Sequence, residues 1–335
     1  MIQKSEVEDP TQDKQRNIIP SQYKDIFDVP NSFEQAWNHQ DPFQRRLWQT
    51  AINKEFKTME DHQVWDLIDR QKIPHGRKTI KCRWVFEIKR SGVFRARLVA
   101  CGYSQIAGVD FTESFSPVMN DITMRLLLTS EIVNNYISRI VDIERAFLHG
   151  VLKENERVYM NCPEGLQHEQ GQAVMLIKTI YGLVQASRAY FLLMVKTLKN
   201  FHFEQSLADP CLFTRIDGDG TVHCGVYVDD IYIVGNDKAV HQAIKDIESK
   251  FNITMEETLG DYLSCEIKFD KNKTKAWIGQ PHLMKKLKNK FGTMVSNLQT
   301  YKTPGTPGQC IIRPGENDQL VTNEEQTEYR SAVGM

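Results

Sequence analysis

The chain has 335 residues, with 42 Lys and Arg against 43 Asp and Glu, a net charge of −1 and 41% apolar residues. That is globular composition with room for two or three compact units, which excludes a disordered or fibrous chain. Near-neutral charge excludes a uniformly basic polyanion binder, so any such groove must be local, and no run approaches the ~20 apolar residues of a membrane span.

Residues 1–40 read as a polar lead or linker, with three prolines before Asn31 and no apolar segment of the kind a signal peptide needs. Asp41-Pro42 then offers an N-cap and a first-turn proline, and Phe43, Leu47, Trp48, Ala51, Ile52, Phe56 and Met59 follow at helical spacing. Two strands, Ile80 to Lys89 and Phe94 to Ala100, are predicted around a turn at Ser91-Gly92. Arg77 to Arg97 holds eight Lys and Arg against one Glu. Arg95 and Arg97 alternate with Ala96 and Leu98, so an extended strand puts both guanidiniums on one face, suited to phosphate or simply to water.

A loop over Phe111 to Val118 precedes a helix capped at Asp121, with Leu126, Leu127, Leu128, Ile132 and Val133 expected inside. Ile137 to Ile143 reads as an apolar strand carrying Asp142. Strand-like segments follow at Arg157 to Met160 and Val174 to Lys178, and then a helix from Gln185 to Lys199 with Ala186, Ala189, Tyr190, Leu193, Met194 and Leu198 inward. Cys211 to Ile216 and Val222 to Val228 are strands joined by Asp217-Gly218-Asp219-Gly220. Val240 to Phe251 is helical, Ile253 to Met255, Cys265 to Phe269 and Lys275 to Ile278 are strands, and Pro281 opens a last helix. From Thr303 the Pro and Gly content reads as a linker. The seven cysteines form no metal-binding pattern and read as reduced, mostly buried thiols of an intracellular protein.

The most informative stretch is Gly225 to Gly235, Gly-Val-Tyr-Val-Asp-Asp-Ile-Tyr-Ile-Val-Gly. Two runs of strand composition flank adjacent carboxylates, which predicts a hairpin with Asp229 and Asp230 at its tip. The plain alternative is a turn facing water. A divalent cation would give the paired like charges a reason, and Asp142, an acid on a buried strand, is the candidate third carboxylate.

The Tyr-Val-Asp-Asp box, Asp142 to Leu148, Tyr181-Gly182-Leu183-Val184-Gln185-Ala186-Ser187-Arg188 and Arg95 to Ala100 resemble, in order and spacing, the copia-type retrotransposon reverse transcriptases. The resemblance runs from about Trp48 to the last residue and takes in Cys82 to Phe86, Phe115 to Val118 and Val158 to Met160. It implies an α+β polymerase right hand: fingers, an antiparallel-sheet palm backed by helices, and a partial thumb or connection. Residues 41–300 would form the polymerase and residues 301–335 a linker toward a ribonuclease H that does not follow, as in a fragment or a shortened reading frame.

The implied activity is RNA-directed DNA synthesis with two ions, magnesium or manganese. Asp142, Asp229 and Asp230 would be catalytic, with the backbone carbonyl of Ile143 completing the metal shell. Arg95, Arg97, Phe147 and Gln185 would meet the incoming nucleotide, Phe147 lying under the sugar to exclude a 2′-hydroxyl or else packing as a core aromatic. The expected partners are an RNA or DNA template with its primer, deoxynucleoside triphosphates and, in an intact element, integrase and ribonuclease H. The expected setting is the cytoplasm, in a virus-like particle, or the nucleus. Val184, Ser187, Tyr190 and Leu263-Ser264-Cys265 depart from the commonest pattern of the family. The alternative they raise is a catalytically silent remnant that binds nucleic acid; a nucleotidyl cyclase fits the arginine hairpin poorly.

Overall fold

The buried apolar residues sort into two clusters. Trp48, Ile52, Met59, Trp84, Phe86 and Leu98 anchor the first, and Val141, Ile143, Tyr190, Phe213 and Ile231 to Val234 the second. Phe147 packs partly against both. The computed structural model describes residues 27–89, 91–256, 265–295 and 321–334.

The first cluster begins before residue 41. Ser32 caps a short helix, α1 (Phe33–Trp37), and Phe33 stacks on Trp37 at 5.5 Å while Phe27 meets Phe94 edge-on at the same distance. The lead therefore ends earlier than its polarity indicated, because a few aromatics fasten it down. In α2 (Pro42–Asp61) the Asp41 carboxylate accepts from the N–H groups of Phe43 and Gln44, the expected cap. After β1 (Trp65–Asp69) and β2 (Thr79–Ile80), the hairpin of β3 (Cys82–Ile88) and β4 (Phe94–Ala100) lies on α2. There the ring of Trp48 meets Phe86 and Phe94 edge-on.

The second cluster starts with α3 (Asp121–Val133) and β5 (Ile137–Ile143). The helix is where expected, but its phase differs. Leu126 and Val133 are 63% and 74% exposed, whereas Thr123, Met124, Leu127, Leu128 and Glu131 face inward. Buried Glu131 sets that phase, accepting from Ser138 Oγ at 2.9 Å and from the Tyr232 hydroxyl at 2.7 Å. The chain then returns to the first unit through β6 (Val158–Met160) and β7 (Gln172–Leu176), completing a sheet of order β1-β7-β6-β2.

Helix α4 (Ala186–Asn200) leads into β8 (Glu204–Gln205), β9 (Leu212–Asp217), β10 (Gly220–Tyr227) and β11 (Asp230–Gly235). Helix α5 (Asp237–Glu248) and β12 (Ile253–Glu256) follow. These strands and β5 form a six-stranded antiparallel sheet, β12-β5-β11-β10-β9-β8, against which α3, α4 and α5 pack. This is the α+β arrangement expected for a palm, with the acidic hairpin at its centre. A separate hairpin of β13 (Glu266–Phe269) and β14 (Ala276–Gly279) precedes α6 (Pro281–Val295).

The tail expected as a linker holds a helix, α7 (Asn323–Val333), started by a capping box between Thr322 and Glu325. The rest of that tail and most of the expected N-terminal lead lie outside the described residues. Among the described residues no helix is long and apolar enough to cross a membrane.

Candidate active site

Strands β10 and β11 pair from Val222–Gly235 down to Tyr227–Asp230, leaving Val228 and Asp229 as the two central residues of the turn. Val228 holds φ 54°, a left-handed conformation that a β-branched residue adopts only under constraint. Part of that constraint comes from the neighbouring strand. Asp230 pairs with Asp142 across the β11–β5 ladder, and the Ile143 N–H donates to the Asp229 carbonyl at 2.9 Å. Gly225 lets α3 and the residue just before its cap press on this hairpin, because a Cβ there would lie 2.9 Å from Leu127 Cδ1 and 2.3 Å from Met119 Sδ.

Three carboxylates thus come from two adjacent strand ends, with Asp142 and Asp230 half-buried and Asp229 exposed at the tip. The Asp142 carboxyl is held above the usual range, first by burial and then by the charges of Asp229 and Glu144, with Lys89 and Arg95 opposing. The site therefore gains from an added cation. Among the described residues no three His, Cys, Asp or Glu side chains gather into a ready metal cluster. The donor set still fits magnesium or manganese, which take hard oxygens from one or two carboxylates and leave room for water and phosphate.

The basic hairpin is the source of the two cations, Lys89 and Arg95, whose charges act on Asp142. Arg95 and Arg97 share a face of β4, as the alternation predicted, with Ala96 and Leu98 buried on the other. Arg97 pairs with Glu87 at 3.2 Å and lies over the Tyr181 ring at 5.5 Å, and its buried Nε has no hydrogen-bond partner among the described residues. Burial and the neighbouring Arg97 charge depress Arg95, and burial followed by both arginines depresses Lys89. Among the described residues Arg97 has a carboxylate partner in Glu87, while Lys89 and Arg95 form no ion pair.

Lys89, Tyr181 and Arg145 were not singled out from the sequence. Gly182, at φ +86°, brings Tyr181 to β4, since a Cβ there would lie 2.2 Å from the Ala100 carbonyl, while the Tyr181 carbonyl accepts from Ala100 N–H at 2.8 Å. The Tyr181 ring meets Phe147 edge-on at 5.4 Å. Phe147 lies half-buried in the turn Ala146–His149 just past Asp142, at the seam of the two cores. Arg145, at φ 57°, reaches back to Glu55 of α2 at 2.7 Å and ties the acidic strand end to the first unit.

Gln185 does not join this group. It is 4% exposed, its Nε2 donating to the Asp110 carbonyl and its Oε1 accepting from Gln105 Nε2, both at 3.0 Å. At 4% exposure it does not face water, and with one bond at each amide end it keeps one further donor and one further acceptor site. It braces the loop before α3 against the start of α4.

A family model described as reverse transcriptase (RNA-dependent DNA polymerase) matches residues 62–306. The chain is 28% identical over 319 residues to the retrovirus-related Pol polyprotein from transposon TNT 1-94 of Nicotiana tabacum, a match covering 91% of this chain and 23% of that protein. It is 33% identical over 229 residues to the retrovirus-related Pol polyprotein from transposon RE1 of Arabidopsis thaliana, covering 66% and 15%. The chain therefore spans no more than 23% of either relative's length. Among solved structures, the foamy viral protease-reverse transcriptase in complex with dsDNA matches with 13% identity and a TM-score of 0.42, covering 85% of this chain and 46% of that one. The family match takes in more than half of the chain, including all three acids and the arginine hairpin. The chain belongs to the reverse transcriptase family, as the polymerase segment of a copia-type retrotransposon Pol polyprotein.

Proposed function

We propose that this chain is an active RNA-directed DNA polymerase, extending a primer on an RNA or DNA template from deoxynucleoside triphosphates. The observation that carries the reading is the cross-strand pairing of Asp142 with Asp230, with Asp229 at the adjoining tip and the charges of Lys89 and Arg95 acting on Asp142. Asp142 and Asp229 would hold two divalent cations, magnesium or manganese, supported by Asp230 and the Ile143 carbonyl. When bound, such a pair activates the primer 3′-hydroxyl and neutralises charge on the leaving pyrophosphate.

The chain's own side chains then do the positioning. Arg95, Arg97 and Lys89 bind the triphosphate, the arginines as fixed forks and the lysine as a point charge. Phe147, backed by Tyr181, lies under the sugar and excludes a 2′-hydroxyl. In an intact element the partners are the other Pol segments, integrase and ribonuclease H, and the setting is a cytoplasmic virus-like particle or the nucleus.

Extension of oligo(dT) on poly(rA) with magnesium, with manganese and with neither tests the reading. Incorporation that requires a cation is expected. No incorporation by folded protein with either cation would overturn it, and retained primer-template binding would then identify a nucleic-acid-binding remnant.

A further inference from the structure

Tyr190 lies on the inner face of α4, as its spacing predicts, and packing accounts for its ring. It does not account for its oxygen. The residue is 1% exposed, yet its hydroxyl has no hydrogen-bond partner among the described residues. A buried hydroxyl left unpaired destabilises a fold, so one that persists calls for a reason.

Its surroundings supply one. Helix α4 packs on the turn Ala146–His149 that follows Asp142, and Gly150 allows the close approach, since a Cβ there would lie 3.1 Å from Ala189 Cβ and 3.2 Å from Tyr190 N. After burial, the charges acting on the Tyr190 hydroxyl are Asp229, Asp142 and Asp230, in that order, and together they keep it protonated well above the usual range. The phenol is a neutral donor, buried on the helix that packs against the turn after Asp142 and within the field of the three acids.

We propose that Tyr190 is a positioning residue for the metal site, its hydroxyl donating a hydrogen bond to the Asp229 carboxylate when that carboxylate turns inward to hold a cation. The proposal rests on the metal-site reading above. Asp229 is exposed at the hairpin tip and the Tyr190 hydroxyl has no partner among the described residues, so the bond requires the carboxylate to turn inward. Asp142 and Asp229 would hold the cation together, and the Tyr190 phenol, buried on the α4 face that packs by this strand end, would fix the Asp229 carboxylate in that inward orientation. Metal-ligating carboxylates are generally held by such outer donors, which fix which oxygen faces the ion.

The test is Tyr190→Phe in the full chain, which removes one oxygen and leaves the ring. Manganese binding is followed by the electron paramagnetic resonance of free Mn2+, alongside thermal melting in EDTA and primer extension across a manganese series. The variant is expected to bind manganese about tenfold more weakly. It should melt in EDTA at the wild-type temperature or higher and recover extension at high manganese. Manganese affinity within about twofold of wild type would overturn the proposal, because outer-shell donors shift affinity by more than that. A lowered melting temperature in EDTA would overturn it too, showing that the oxygen serves packing. If wild-type protein bound no manganese, the metal-site reading would fail and this inference with it; normal wild-type binding with an unaffected variant would sink the inference alone.

Discussion

Glu55 offers the sharpest test of how the two cores are joined. It is 2% exposed, and its carboxylate serves two segments at once, accepting from Arg145 Nη1 at 2.7 Å and from Leu98 N–H at 3.2 Å. Removing one partner of a buried ion pair costs about 3–5 kcal/mol, because the other charge stays desolvated. Arg145 keeps 24% side-chain exposure, so part of its hydration survives and the low end applies. Leaving the Leu98 N–H unpaired adds to this, while relaxation around the smaller side chain subtracts. Glu55→Ala should therefore destabilise the protein by about 3 kcal/mol. Glu55→Gln keeps one acceptor oxygen for two donors, leaving an NH2 against either Leu98 N–H or Arg145, and should lose about 2 kcal/mol, less than alanine because part of the pairing survives. Urea unfolding followed by tryptophan fluorescence measures this, Trp48 and Trp84 lying in the adjoining core. At a slope near 2 kcal/mol per molar urea, the alanine variant's midpoint should fall by about 1.5 M. A loss under about 1 kcal/mol for alanine, or equal losses for both variants, would refute the argument that the ion pair is a buried joint.

Three further outcomes follow from the site. Arg95→Ala and Arg97→Ala should weaken template-primer binding and flatten its dependence on salt by about one unit of slope for each phosphate no longer neutralised. Filter binding across a salt series reads this, and unchanged slope with unchanged nucleotide affinity would make that strand face a solvated one. Phe147→Ala should raise ribonucleotide use relative to deoxyribonucleotide use and lower stability by about 2 kcal/mol, since the ring is only half-buried. Equal losses for both sugars would mark a packing residue. Asp142→Asn should melt higher than wild type in EDTA at pH 7. A carboxyl whose folded pKa is raised favours the fold below its unfolded pKa, and that contribution is lost as pH rises through the folded value. The advantage of Asn should therefore vanish below the ordinary carboxylate range, near pH 3, and an equal or lower melting temperature at pH 7 would contradict the raised pKa.

The acidic strands were legible because local chemistry specifies them. The run Ile231 to Val234 is apolar on both faces, as a covered sheet requires, with adjacent acids just before it where the chain turns, and in Ile140 to Ile143 a single acid, Asp142, interrupts an otherwise apolar strand end. Helix α3 was located correctly and rotated wrongly, because Leu126 and Val133 are as apolar as Leu127 and no periodicity predicts that Glu131 goes inside. Only the long-range bond from Tyr232 reveals that. Helix α1 and the packing of Phe27 escape a reading of the sequence because short aromatic contacts carry them within polar sequence. The capping box at Thr322 and Glu325 was a readable signal of α7. Lys89 and Arg145 lie beside singled-out residues, yet only tertiary contacts, Arg145 to Glu55 and Tyr181 to Arg97 and Phe147, show what such residues do, and no local pattern announces these meetings. Gln185 stands out through its motif, while its role as a brace depends on Gln105 and Asp110, some 80 and 75 positions away.

The central claim is that Asp142 and Asp229 form a cation-dependent polymerase site, and single-substitution kinetics test it most directly. Wild type, Asp142→Asn and Asp229→Asn, each confirmed as folded by circular dichroism, would be compared for deoxythymidine incorporation on poly(rA)·oligo(dT) in magnesium. Each Asn keeps the shape of the side chain and removes a negative ligand, so incorporation should fall by about a thousandfold or more while primer-template binding stays near wild type. Substantial incorporation by either folded variant would place the chemistry elsewhere and contradict the account.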